Sequence, residues 1–529
     1  MSSKAADMAK ISAKGGFHLL WGLVVSTLIS AVGSIFIAVL LGPDNYGLYA
    51  IVLTLPNIVA IFRDLGVNTA MTRYAAQFRA ENRHDELRSI FISGLIFEII
   101  LGLLLTVVSI LLSGFLAATW FNRPSIAPLI QIASISVLAG ALTTSALSLF
   151  TGMERMELTS IVWVAQAVIK TLVTVGLVLI GLGATGATIG NTLGVVLGGL
   201  AGVLLMGLLY RKLPKPATHR LEIRAYIGAM LSYGVPVSLS TMLSNFLTQF
   251  YMFLLPIYYV ADNVIIGNYS VAQNFVILIT FFATPITTIL FPAFSKLDAK
   301  RDKETLQNAY QYSVKYASLL VVPVTMLIMC LSVPVVSTIF ADKYDSAPLF
   351  LALLAISYTY TALGNLSNGN LITGQGQTTY ALYLTILTAA IGFPMGYMLI
   401  MNFGVLGLIV SSLIMGIPSM VLSLRFIKKR YGVSIDWDSS VRILASSALA
   451  ATITYFIVSQ LALASWLRLV IGVAIFLLVL FPTMLLTRTI NRQDIVNIRS
   501  MLSSLGPLSS VINKILILLE KTMDALRLK

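Results

Sequence analysis

The sequence predicts an all-α membrane protein of about fourteen transmembrane helices, and three observations predict it. Apolar residues make up 57% of the 529 positions and charged residues only 11%, where a soluble domain carries roughly a quarter charged. The apolar residues fall in separate runs, most of them long enough to cross a bilayer as a helix, which takes ~20 residues. The basic residues are sorted to one side of those runs.

Taken in order, the runs centre near Ile29, Leu55, Leu103, Leu138, Ala167, Val196, Leu243, Val276, Met326, Thr361, Ala389, Ser411, Thr452 and Phe476. With the N-terminus in the cytoplasm, 31 of the 35 Lys and Arg fall in the tails and cytoplasmic loops, 3 (Arg123, Lys343, Arg468) fall in outer loops, and Lys170 stays inside a span. That bias sets both termini in the cytoplasm of a multi-pass protein of the cell (plasma) membrane. The net charge of +14 therefore marks membrane orientation, spread over loops that face anionic lipid, and is not the footprint of a nucleic-acid binder. Cys330 is the single cysteine, and His18, His84 and His219 are dispersed. No disulfide, metal site or cofactor is expected.

Along the chain, Met1 to Gly16 reads as a short interfacial arm. Gly42-Pro43-Asp44-Asn45-Tyr46-Gly47 reads as the outer turn after the first span, and Pro56 is expected to kink the second. Beyond Gly66 a polar, helical extension follows. Leu213-Pro214-Lys215-Pro216 is a stiff linker and the best domain boundary. The expected organisation is an N-lobe of spans 1–6 (residues 1–212), a C-lobe of spans 7–12 (213–430), two peripheral spans (431–490) and a cytoplasmic tail (491–529) whose stretch from Leu508 is amphipathic and suited to the inner leaflet.

The fifth span carries the most informative pattern. Lys170 sits near its middle, where a charge costs ~2.5–3.5 kcal/mol on insertion scales, so it is expected to face a polar interior. Thr159, Trp163, Gln166, Lys170 and Thr174 recur at spacings of three and four and share a helical face. Asn245 and Gln249 lie on a second polar stripe, Gln273 and Asn274 on the eighth span, and Asn365 and Asn368 on the tenth. One polar residue per span serves as interhelical glue. Stripes on several spans point to a shared aqueous cavity. Arg63, Asp64 and Arg73 would stand at its inner mouth, and Glu98, an acid inside the third span, is the candidate for coupling to a proton or cation.

The two halves match at an offset near 220. Asp44-Asn45 answers to Asp262-Asn263, Thr151-Gly152 to Thr373-Gly374, and Gly183 to Gly186 answers to Gly404 to Gly407. Six spans per unit is an even number, so the repeats enter the membrane the same way, a parallel repeat.

Leu41 to Tyr49 after the first span, with Asp64-Leu65-Gly66 and Arg73-Tyr74 after the second, the Thr151-Gly152 turn and the duplicated layout, carry a resemblance. The chain resembles the oligosaccharide flippases of polysaccharide biosynthesis, within the multidrug/oligosaccharidyl-lipid/polysaccharide exporter superfamily. The resemblance implies two six-helix lobes, alternating access, and a lipid-linked oligosaccharide as cargo, moved from the cytoplasmic to the outer leaflet. It implies no catalytic chemistry. Partners would be that lipid, the surrounding membrane lipids and glycan-assembly enzymes, and the chain is expected to act as a monomer. Lys170 would meet the diphosphate of the cargo. A cation-coupled multidrug exporter of the same superfamily is the first alternative, but it would want acids where this chain places a lysine. A membrane-embedded glycan polymerase or ligase is the second, and no nucleotide loop or nucleophile constellation favours it.

Overall fold

A computed structural model describes residues 3–214, 222–260, 262–298, 301–491, 494 and 499. The amphipathic tail expected from Leu508, and Lys215-Pro216 of the linker, lie outside the described residues. Among the described residues there is no strand. The helices are α1 (Ser3–Ala60), α2 (Val67–Ala80), α3 (His84–Phe115), α4 (Ala127–Gly152), α5 (Met156–Leu177), α6 (Gly183–Arg211), α7 (Ile223–Tyr258), α8 (Asn263–Ser295), α9 (Lys303–Cys330), α10 (Ser332–Phe340), α11 (Ala347–Thr359), α12 (Asn365–Gly374), α13 (Thr378–Ile414), α14 (Ile417–Tyr431), α15 (Trp437–Ser459) and α16 (Ser465–Leu486). Among the described residues ten helical stretches are long and apolar enough to cross a membrane, or eleven if the bent pair Ala347–Leu363 and Asn365–Gly374, broken by 52°, counts as one.

Three of the ten carry a backbone break. In α1 the one residue with non-helical φ/ψ is Gly42 (φ 69°, ψ 172°). Pro43 then restarts the helix, at the position where its fixed φ and missing N–H cost nothing. Asp44 to Gly47 is thus the first turn of a helix, not the loop its composition suggests, and Pro56 sits in helical backbone. The other breaks are Gly183 (φ 50°, ψ −137°) between α5 and α6 and Gly404 (φ 56°, ψ −129°) inside α13. These two glycines lie 221 positions apart and share one unusual conformation.

The same holds at the Thr-Gly turns. Glu154 N donates to Thr151 O and Arg155 N to Phe150 O, at 3.0 and 2.8 Å; Gly376 N donates to Thr373 O and Gln377 N to Ile372 O, both at 3.0 Å. Glu154 (φ 54°) and Gly376 (φ 75°) both take the left-handed conformation that ends such helices. Ala127-Pro128-Leu129 and Ala347-Pro348-Leu349, both at helix starts, add a further match in the same register.

The chain divides into two compact units. The first is Met1–Ile277, Asp342–Phe350 and Thr378–Ser419; the second is Leu278–Ala341, Leu351–Gln377 and Met420–Lys529. In the first unit, the two segments that match as Asp44-Asn45 and Asp262-Asn263 touch each other. Asn263 Nδ2 donates to Asp44 Oδ1 at 3.0 Å, and the backbones meet at Gly47 and Gly267, where a Cβ on Gly47 would fall 1.9 Å from Asn263 O. Arg123 closes this contact by donating to Asn263 Oδ1 and to the carbonyls of Tyr259 and Val260. Asn268, the asparagine of an Asn-Tyr-Ser sequon, is buried and accepts from Ser346 N and Ala347 N, both at 3.0 Å.

The second unit is bound by α9, α15 and α16 around Ala450, Phe476, Leu480 and Met484, with Leu319 and Met326 of α9 against them. Lys315 Nζ reaches Asp494 Oδ2 at 2.6 Å, with the two side chains 10% and 1% exposed. Tyr316 adds a hydroxyl donor to Asp494 Oδ1 at 3.3 Å.

Candidate functional site

The turn Asp64-Leu65-Gly66 sets the site in the first unit. Leu65 (φ 45°) and Gly66 (φ 80°) are both left-handed, and Gly66 lies backbone to backbone with Gly234 of α7, so that a Cβ would come 2.0 Å from Gly234 O. Only glycine fits there. The turn aims Asp64 back at the start of α2, where its Oδ1 accepts from Asn68 N at 2.9 Å and satisfies one of the orphan amides of the helix end. α2 is amphipathic. Val67, Ala70, Met71, Ala75 and Phe78 pack into a core with Phe91, Leu149, Phe150 and Met230, while Thr69 and Arg73 stay exposed.

The polar edge of α2 opens onto a cavity of about 500 Å³ lined by Asp64, Asn68, Thr69, Thr72, Arg73, Thr144, Ser148 and Tyr233, with Leu147. The Arg73 guanidinium stacks over the Tyr233 ring, 4.3 Å from its centroid, a contact worth about 0.5–1 kcal/mol at an exposed site. Thr72 Oγ1 donates to Ser148 O at 2.9 Å and ties α2 to α4. Behind the cavity wall, Asn68 Nδ2 donates to Oε1 of the fully buried Glu98 at 2.8 Å. Arg63 lies with its guanidinium against Gly140, and Glu98 and Asp64 are the acids near enough to act on its charge. The structure thus brings Asp64, Arg73 and Glu98 to one place, with Arg63 beside them. Asn68, the residue that joins them, escaped the sequence reading; its sole local signal was its position two after Gly66, inside the polar extension.

Lys170 stands elsewhere in the same unit. α6 presents Gly190, Gly194 and Gly198 to α5, and a Cβ at these positions would fall 2.4 Å from Thr174 Cα, 2.5 Å from Lys170 Cβ and 2.9 Å from Gln166 Cγ. This is the small-residue packing that lets membrane helices approach closely. On this face of α5 Thr159 and Thr174 are buried, while Trp163, Gln166 and Lys170 are half-buried, the stems of Gln166 and Lys170 lying against the α6 glycines. Among the described residues Lys170 has no ion-pair or hydrogen-bond partner.

The remaining polar residues divide. Asn245 is exposed and Gln249 half-buried on α7. Gln273 donates to Tyr269 OH at 2.9 Å and Asn274 donates to Tyr46 OH, so both amides are engaged in contacts within the first unit. In the second unit Asn365 is exposed at the start of α12, while Asn368 is buried, accepting from Tyr310 OH at 2.6 Å and donating to Ser423 Oγ at 3.1 Å.

Comparison with known proteins agrees with this architecture. The chain is 22% identical over 375 residues to an uncharacterized membrane protein of Methanocaldococcus jannaschii, covering 69% of this chain and 73% of that one. It is 20% identical over 233 residues to the probable low-salt glycan biosynthesis flippase Agl15 of Haloferax volcanii, covering 44% of this chain and 49% of the relative. It is 22% identical over 349 residues to the lipopolysaccharide biosynthesis protein WzxC of Escherichia coli, covering 65% and 67%. In structure it matches the lipid II flippase MurJ in an inward closed conformation with a TM-score of 0.66 at 15% identity, over 88% of this chain and 98% of that one. The family model described as polysaccharide biosynthesis protein matches residues 12–298, more than half of the sequence, and the chain belongs to that family.

Proposed function

We propose that this protein is a flippase that carries a lipid-linked oligosaccharide from the cytoplasmic to the outer leaflet by alternating access, for the assembly of a cell-surface glycan. The observation that carries the reading is Lys170, an ammonium in the interior of a long apolar helix with no acid set against it among the described residues. A diphosphate head group cannot cross hydrocarbon, because desolvating its charge costs many kcal/mol. A cation already held at membrane depth, with the amide of Gln166 one turn away, replaces part of the lost hydration. The half-buried Trp163, a further turn on, offers a flat face for a sugar.

In this reading both termini lie in the cytoplasm and the chain has about fourteen spans, turning back across the membrane at the breaks at Gly42, Gly183 and Gly404. Two parallel six-helix lobes, 1–212 and 213–430, are supported by the matched turns and by the mutual contact of Asp44 and Asn263. Arg63 and Arg73 serve as attractors for the anionic head at the cytoplasmic mouth. Asn245, Gln249, Gln273 and Asn274 are the polar side chains offered to the sugars, and Gln273 and Asn274 would have to give up present hydrogen bonds to do so. The full-length chain in vesicles should move a fluorescent saccharide linked through a diphosphate to a short isoprenoid from one leaflet to the other. It should leave a cationic dye unmoved. Movement of the dye alone would overturn the reading.

A further inference from the structure

The hydrogen-bond accounting around Glu98 does not close. Its Oε1 accepts from Asn68 Nδ2. Its Oε2 and the Asn68 Oδ1 are both buried with no hydrogen-bond partner among the described residues. Two acceptors, one on each member of this hydrogen-bonded pair, are thus shut away with a donor missing, a situation that costs about 1–3 kcal/mol for each unmet group. Exchanging the oxygen and nitrogen of the Asn68 amide would not help, because it would then turn an acceptor toward the carboxylate. A proton on Glu98 supplies the missing donor and removes the uncompensated charge at the same time.

The surroundings fit a proton better than a metal ion. The charged groups near enough to act on Glu98 are Asp64 and Arg63, of opposite sign and acting against each other. α4, packed on the other side, carries no titratable side chain. It offers Thr144 Oγ1, 3.5 Å from Asn68 Nδ2. α7 contributes Tyr233 to the cavity wall. The side chain that faces the carboxylate is a donor, where a hard divalent cation would want six or more oxygens. Among the described residues no cluster of acids, histidines or cysteines could hold a metal. Asn68 both contacts Glu98 and lines the 500 Å³ cavity, so it stands between the buried carboxyl and water.

We propose that Glu98 and Asn68 form a proton-binding site that is loaded and emptied through the cavity bounded by Asp64 and Arg73, with Asn68 as the door. Emptying it leaves a carboxylate that draws the start of α2 into a new arrangement, which makes the site a means of driving the transport cycle with protons. The binding of the proton stands apart from the flippase reading; its coupling to lipid movement rests on that reading.

Difference infrared spectroscopy on the full chain in phosphatidylcholine–phosphatidylglycerol vesicles tests it, with protons alone as the probe. The expected result is a protonated-carboxyl band near neutral pH that fades as the pH is raised, is absent in Glu98→Gln, and fades over a different pH range in Asn68→Ala. No such band in the unmodified chain, its survival in Glu98→Gln, or its removal by sodium at constant pH would overturn the proposal, the last by making the pair a sodium site. In vesicles that move the isoprenyl diphosphate saccharide, Glu98→Gln should abolish the dependence of rate on a pH gradient. A wild-type protein that shows the band yet moves no saccharide would sink the flippase reading and leave the proton site standing.

Discussion

Lys170 and Lys315 are two lysines on long apolar helices, one in each unit, and they are held in opposite ways. Lys315 is clamped by Asp494 at 2.6 Å, with a tyrosine on the second carboxylate oxygen. Lys170 has its stem against Gly194, and its ammonium has no partner among the described residues. The two asparagines repeat the contrast. Asn368 is satisfied at both ends by Tyr310 and Ser423, and Asn68 keeps an empty acceptor beside an acid. Burial of a polar group alone is thus a poor sign of function. A polar group whose partner is missing from the protein is a better one, because folding would have supplied a partner if stability were all that was required.

That contrast can be broken at several points. The largest effect is expected at the clamp. Lys315→Ala leaves the Asp494 carboxylate buried and uncompensated and should cost about 3–5 kcal/mol, read as lowered thermal stability in detergent. Lys315→Met combined with Asp494→Leu should recover most of it. If instead Lys315→Ala left stability intact and stopped transport, the structural assignment of the pair would fail. Next comes Gly194→Val, which drives methyl groups into the Lys170 stem and should cost about 1–3 kcal/mol by the same measurement. Asp64→Ala removes the cap of α2 and should cost about 1 kcal/mol, with Asp64→Asn retaining most of the stability. Smallest of all is Lys170→Gln, expected to shift stability by less than ~0.5 kcal/mol, since no partner is left stranded.

The sequence made the class, the polar stripe on α5 and the Asp64-Leu65-Gly66 turn readable, because each is written in local spacing. The likeness of the two Thr-Gly turns was readable, and the Ala-Pro-Leu match at 127 and 347 was there to be seen. What could not be read were the pairings across sequence. Asn68 meets Glu98 thirty positions on, and Lys315 meets Asp494 at a separation of 179. The glycines at 190, 194 and 198 advertise a close helix contact, but the register that sets Gly194 on Lys170 is decided by packing. Composition also misled at Asp44 to Gly47, where turn-forming residues begin a helix because Pro43 and Asp44 suit a first helical turn.

The central claim is that the Lys170 ammonium is kept free for the phosphate of the cargo. The most direct measurement is the concentration dependence of isoprenyl diphosphate saccharide transport in vesicles by Lys170→Gln and Lys170→Arg. Loss of a charge-assisted hydrogen bond is worth about 1.5–3 kcal/mol, so Lys170→Gln should weaken apparent affinity roughly 10- to 150-fold while Lys170→Arg keeps most of it. Wild-type transport by Lys170→Gln would contradict the account.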